Sequence, residues 1–216
     1  MTHITLVRHG QANTYARTAE DYDRLSPLGA QQAEWLGEWM RETQAHFDHV
    51  WSGDMSRHLA TARGMGHLSP EIDPRLNEFN YFDLARAAED EHGLPAPTTP
   101  EEFTRHIPQL MDLWQADRLV GAPETFAAFE DRARSSMQDV LSHGGRALVV
   151  TSGGFISMVL RNVLGLEISP MTHLMFQIRN SALTEFEFVH GHKMLAGYNA
   201  IPHLAAPDRA HARTFI

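Results

Sequence analysis

Ile4-Thr5-Leu6-Val7-Arg8-His9-Gly10 is the stretch that decides how this chain folds. Four apolar or β-branched residues in succession suit a strand buried on both faces, as in a parallel sheet. The run then stops on a guanidinium, an imidazole and a glycine. Open α/β sheets bind ligands beyond the carboxyl ends of their strands. Arg8 and His9 therefore stand where chemistry is expected.

A second apolar run, Ala147 to Thr151, reads as a central strand, with a tight turn at Ser152-Gly153-Gly154 and a helix over 155–164. Residues 28–45 carry Leu28, Ala33, Trp35, Leu36, Trp39 and Met40 at helical spacing, and Ser26-Pro27 makes a good start for them. His49 to Ser52 reads as a strand, followed by a helix over 54–67, and Glu124 to Leu141 is again helical. Alternation over Thr184 to Val189, a turn at His190-Gly191-His192 and a run from Lys193 to Tyr198 predict a hairpin. Strands separated by helices predict an α/β fold: a three-layer α/β/α sandwich with a mostly parallel central sheet and an antiparallel edge. The length of 216 residues suits a single domain over 1–216. Residues 83–122 differ in texture, with the acidic run Glu89-Asp90-Glu91, a proline-rich connection and a helix opening at Pro100-Glu101-Glu102. They read as an inserted cap or lid, too short to bury a core of its own. The acidic run reads as a solvated loop face, and Met171, Met175, Trp35 and Trp39 read as core.

The chain holds 27 acidic and 18 basic residues, a net charge of −9. Such a field repels phosphate backbones and anionic lipid, so neither nucleic acid nor membrane is an expected partner. Cysteine is absent, which excludes disulfides, thiolate catalysis and cysteine-ligated metal. No window of about 18 apolar residues is present. The first residues lack a basic stretch ahead of a long apolar one, and the expected location is cytoplasmic. Of the fourteen histidines, the pairs His46/His49 and His190/His192 come with no carboxylate arrangement that defines a site, so no metal is expected.

Gathered at one rim, Arg8, His9, Arg57, Ser152 and the helix start at Gly153 supply an imidazole, two guanidinium forks, a hydroxyl and free amides. Guanidinium groups match phosphate oxygens two at a time, and a helix start favours an anion. This set suits phosphoryl transfer with histidine as covalent nucleophile. Leu6-Val7-Arg8-His9-Gly10-Gln11 resembles the opening signature of the histidine phosphatase, or phosphoglycerate mutase-like, superfamily. The resemblance continues through Leu25 to Ala33, Ser52 to Arg57 with Thr61-Ala62, Arg75 to Phe79, Val149 to Gly154 and Arg179 to Thr184.

The resemblance implies that His9 becomes phosphorylated, that Arg8 and Arg57 clamp the phosphate, and that Glu78 is the acid and then the base. Ser152, Gly153, Gln11 and Asn13 would bind substrate, a small phosphorylated molecule or inorganic phosphate. No cofactor is implied, and no oligomeric state. Some relatives carry an aspartate after a second histidine, but Gly153 stands there. The second histidine itself is replaced by Ser152. That exchange removes a charge beside the phosphoryl group, about 1–2 kcal/mol of charge-assisted hydrogen bonding. It also removes a group able to hold His9 in one tautomer. The loop at 13–24 and the 83–122 segment would read the rest of the substrate, with Arg17, Arg24 and Arg86 as contacts for a second anionic group.

The leading expectation is a phosphomonoester hydrolase working through a phosphohistidine. A catalytically weak or inactive phosphate- or phosphoprotein-binding member of the fold is the alternative that Ser152 motivates. Phosphoglycerate mutase activity is another, disfavoured because no tryptophan-containing segment follows Gln11. An α/β-hydrolase with Ser152 as nucleophile and His211 as base would need glycine where Val150 stands.

Overall fold

The computed structural model describes residues 2–13, 16 and 18–215. Along the chain the elements are β1 (Thr2–Arg8), α1 (Ala19–Tyr22), α2 (Pro27–Glu42), β2 (His49–Ser52), α3 (Ser56–Gly64), β3 (Glu71–Ile72), α4 (Tyr81–His92), α5 (Pro100–Gln115) and α6 (Phe126–Ser142). They continue as β4 (Arg146–Thr151), α7 (Gly153–Leu164), α8 (Ile168–Gln177), β5 (Leu183–Val189) and β6 (His192–Ala200).

The strands form one sheet in the order β3-β2-β4-β1-β5-β6. β1, β2 and β3 share one direction with β4, so Leu6 pairs with Val149 and Arg8 with Thr151. β5 runs antiparallel to β1, and β6 antiparallel to β5. Successive strand side chains point to opposite faces, and both faces here are covered. Ile4, Leu6, Ala147 and Val149 pack with Ile107, Phe129, Phe155 and Met171 from α5 to α8. Val7, Leu148 and Val150 pack with Leu36, Met40, Ala62 and Met65 from α2 and α3. The apolar run of β1 is continuous because each of its faces meets a helix layer. Helices on both faces of a mostly parallel sheet make the expected three-layer sandwich.

Local sequence sets several boundaries as expected. Ser26 Oγ accepts from Gly29 N at 3.0 Å and Pro27 opens α2. At the β5–β6 turn, His190 and Gly191 have φ of 49° and 82°, the paired positive angles a tight hairpin turn demands.

Two readings need correction. The acidic run 89–91 is not a loop face but the last turns of α4, and the Glu91 carboxylate accepts from the Val120 and Gly121 amides at 2.8 and 2.7 Å. α8 has no counterpart in the sequence reading, and it carries Pro170. The proline sits in the helix's first turn, where its missing N–H is not needed. No described helix is long and apolar enough to cross a membrane.

Candidate active site

His9 follows directly on β1, where the chain presses against the start of α2. A Cβ on Gly10 would stand 2.2 Å from the Gly29 carbonyl oxygen, and one on Gly29 2.0 Å from that of Gln11. Both glycines are therefore required by this close approach. Gly10 N donates to Thr61 Oγ1 at 3.0 Å, which pins the turn to α3. His9 Nδ1 lies 2.7 Å from the Gly10 carbonyl oxygen. A carbonyl only accepts, so the ring hydrogen belongs on Nδ1 and Nε2 keeps its lone pair. Burial, and then the charges of Arg57 and Arg8, hold His9 well below the usual histidine range. The imidazole is thus neutral, with a free lone pair on Nε2. The tautomer is set by Gly10 and not by a group at position 152, contrary to the second role the resemblance suggested for that position.

The two arginines are held by different means. Arg8 Nη1 donates to the carbonyls of Ile178 and Phe215. Arg57 Nη1 donates to Asp23 Oδ1 at 2.9 Å, and the same carboxylate accepts from the Ser56 and Arg57 amides at 2.8 and 3.3 Å. Asp23 so caps α3 and orients its arginine in one contact. The Tyr22 ring lies 5.2 Å from the Arg57 guanidinium, and its hydroxyl lies against Arg8. The Nε–H groups of Arg8 and Arg57 are buried without a partner among the described residues. A buried N–H left unpaired is costly, and an anionic oxygen is the partner such donors suit.

Glu78 reaches this site from the turn after β3. Its Oε2 accepts from Gly154 N at 2.8 Å and its Oε1 from Phe79 N at 3.2 Å. Burial pushes the carboxyl up from its ordinary value, against the Gly154 amide and the Arg57 charge, which pull it down. A Cβ on Gly154 would fall 2.3 Å from both Glu78 Oε1 and a Phe79 ring carbon, so only glycine leaves room for the acid. The Gly154 amide is consequently engaged by Glu78 and not free for substrate.

Ser152 occupies the N-cap position of α7 but does not cap it. Its Oγ instead lies 2.6 Å from His58 Nε2 and 3.5 Å from Arg57 Nη2. His58, buried on α3, brings its ring centroid 5.7 Å from that of His9. The sequence reading had missed His58, Asp23 and Tyr22. Their partners lie far along the chain, 94 residues away for His58 and 33 or 34 for Asp23, so no local pattern marks them, although His58 sits beside a residue already singled out.

Arg8, Arg57, Glu78, Gly153 and Gln11 line a cavity of about 640 Å³. Ser152 and His9 are buried and are not among its lining residues. Asn13 stands outside the lining, its Nδ2 3.5 Å from the Asp21 carbonyl. Tyr22, Phe79, Tyr81, Phe82, Phe103 and Phe176 give part of the wall an aromatic character, with Met175, which is thus not simply core, while Glu20, Asp23, Asn80, Thr98 and Thr99 make other parts polar. Arg24 and Arg86 are absent from the lining, and Arg86 pairs with Asp83 at the surface. Arg17 lies outside the described residues.

The strand-end imidazole, with two guanidinium groups and a buried carboxyl about it, sits in an α/β fold with a mostly parallel sheet. The histidine phosphatase superfamily (branch 1) matches residues 4–201, and the chain belongs to it. Similar solved structures include a mutant phosphoserine phosphatase from Entamoeba histolytica in complex with phosphoserine. It is 24% identical with a TM-score of 0.69, covering 94% of this chain and 100% of that one. A phosphoglycerate mutase from Bacillus anthracis is 20% identical with a TM-score of 0.68, covering 94% of each chain. An alpha-ribazole phosphatase from Shigella flexneri is 20% identical with a TM-score of 0.65, covering 92% of this chain and 96% of that one. No curated protein matches the sequence.

Proposed function

We propose that this protein is a phosphomonoester hydrolase that works through phosphorylated His9. The observation that carries the reading is the His9 hydrogen bond to Gly10, which leaves Nε2 as a neutral nucleophile beside Arg8 and Arg57. In the first step His9 Nε2 forms a bond to phosphorus while the ester P–O bond breaks, and Glu78 gives its proton to the departing oxygen. In the second, water attacks phosphorus, Glu78 takes its proton, and the P–N bond breaks to release inorganic phosphate. Arg8 and Arg57 carry the charge on the phosphoryl oxygens throughout.

Residues 83–122, which hold most of α4 and all of α5, act as the cap; Phe103 from α5, with Tyr81 and Phe82 at the start of α4, gives the cavity an apolar wall. That wall favours a monoester with an apolar organic part. The only basic side chains among the described lining residues are Arg8 and Arg57. The expected substrate order is therefore 1-naphthyl and p-nitrophenyl phosphate ahead of phosphoserine and 3-phosphoglycerate in kcat/KM, with no interconversion of phosphoglycerates.

Release of inorganic phosphate, with acid-labile label trapped on His9 during turnover, checks the mechanism. His9→Ala is expected to abolish both. Bound phosphate without any turnover dependent on His9 would leave a binding module of the same fold.

A further inference from the structure

His58 takes no part in the steps above, yet it is fully buried beside the nucleophile on the residue after Arg57. Its Nε2 lies 2.6 Å from Ser152 Oγ, while its Nδ1 is buried with no partner among the described residues. A neutral imidazole has a single N–H. Placed on Nε2, the hydrogen is used in the bond to Ser152; placed on Nδ1, it would be a buried, unpaired donor, the costlier choice. Burial and the neighbouring Arg57 charge favour the neutral ring. Ser152 Oγ therefore accepts from His58, and Arg57 Nη2 at 3.5 Å approaches the same oxygen as a second, longer donor. With donors on both lone pairs, the hydroxyl hydrogen must be given away. No acceptor among the described residues takes it.

We propose that His58 is a positioning residue of this active site. By donating through Nε2–H it fixes the Ser152 hydroxyl as a donor toward a phosphoryl oxygen travelling to or from His9. The inference rests on the phosphatase reading for the identity of that acceptor. Neither residue makes a bond to phosphorus. The pair lies between α3 and the turn after β4, so two helix layers jointly orient one proton. A donor held this way in a buried site acts chiefly on the transition state, where charge on the equatorial oxygens is greatest.

The test combines kinetics on p-nitrophenyl phosphate with ¹⁵N NMR of the unsubstituted protein. Ser152→Ala and His58→Leu are each expected to lower kcat by about 5- to 30-fold with little change in KM. The double variant is expected to be no slower than the slower single one, since both changes remove the same donor. His58→Gln, which offers an amide N–H in place of Nε2–H, is expected to keep most of kcat. NMR is expected to find His58 protonated on Nε2. Losses that multiply, full activity in His58→Leu, or a hydrogen on Nδ1 would overturn the inference. The tautomer is read without turnover or substitution, so it decides the matter even if His58→Leu does not fold. Turnover that survives His9→Ala would sink the phosphatase reading instead, and leaves the tautomer result unaffected.

Discussion

At the scale of single residues, the chemistry follows from two groups pushed in opposite directions by the same burial. His9 is held well below its usual range and Glu78 above its own. The proposed first step needs His9 without its extra proton and Glu78 with its proton. Activity is therefore expected between the lowered value of the one and the raised value of the other, falling off on both sides. In a kcat/KM profile the alkaline limb belongs to Glu78, and Glu78→Gln should flatten that limb while lowering the rate about 10²- to 10⁴-fold. An unchanged alkaline limb in that variant would assign the proton to another group. The exchange of histidine for serine at 152 also looks different at this scale. It counted as a lost imidazole and a lost tautomer clamp, yet Gly10 holds the tautomer and His58 brings an imidazole to the same hydroxyl from α3. Arg8, His9 and Arg57 were legible as candidates because they close a strand or open a helix, and Glu78 because it stands in a recognisable block. His58 and Asp23 were not, because what singles each out is a contact with a distant segment.

At the scale of elements, the site depends on how closely three helix starts approach the sheet. The start of α7 is one such close approach, since Gly154 gives its amide to Glu78 and leaves no room for a side chain. Gly154→Ala is expected to displace Glu78 and Phe79, destabilising the fold by about 1–3 kcal/mol through overpacking. It should also lower kcat toward the Glu78→Gln level. Thermal unfolding and kinetics measured together would check this, and a variant of full activity would show that Glu78 is not anchored there. The strands β1 and β4 were readable because burial on both faces leaves continuous apolar runs. β3, with two exposed residues, and α8, with a proline in its first turn, carry no such signal.

For the whole molecule, the buried histidines couple folding to pH. His203, 3% exposed with Nε2 2.7 Å from Ser181 Oγ, is brought down to about 4 by burial and by Arg209. Because the folded value lies below the unfolded one, the unfolded chain binds more protons in the interval between them. The stability tied to His203 is thus fully present above about pH 6.5 and is lost as the pH falls toward 4, to a total of about 3 kcal/mol. His9 and His58, also shifted downward, act with the same sign. Denaturant unfolding followed from pH 7 to 4 should show this loss, and His203→Gln should make the slope shallower. An equal slope in the variant would mean that the ring is already charged in the fold.

The amino-acid sequence by itself determined the layered α/β architecture and which polar residues stand at the strand ends. Apolar periodicity and glycine-terminated strands are local consequences of burial and backbone sterics. Only the tertiary structure decided which groups complete the site. His58 on Ser152, Asp23 on Arg57 and Glu78 on Gly154 are contacts across 94, 34 and 76 residues. Hydrogen-bond partners of that kind are chosen by packing, which no local pattern of residues encodes.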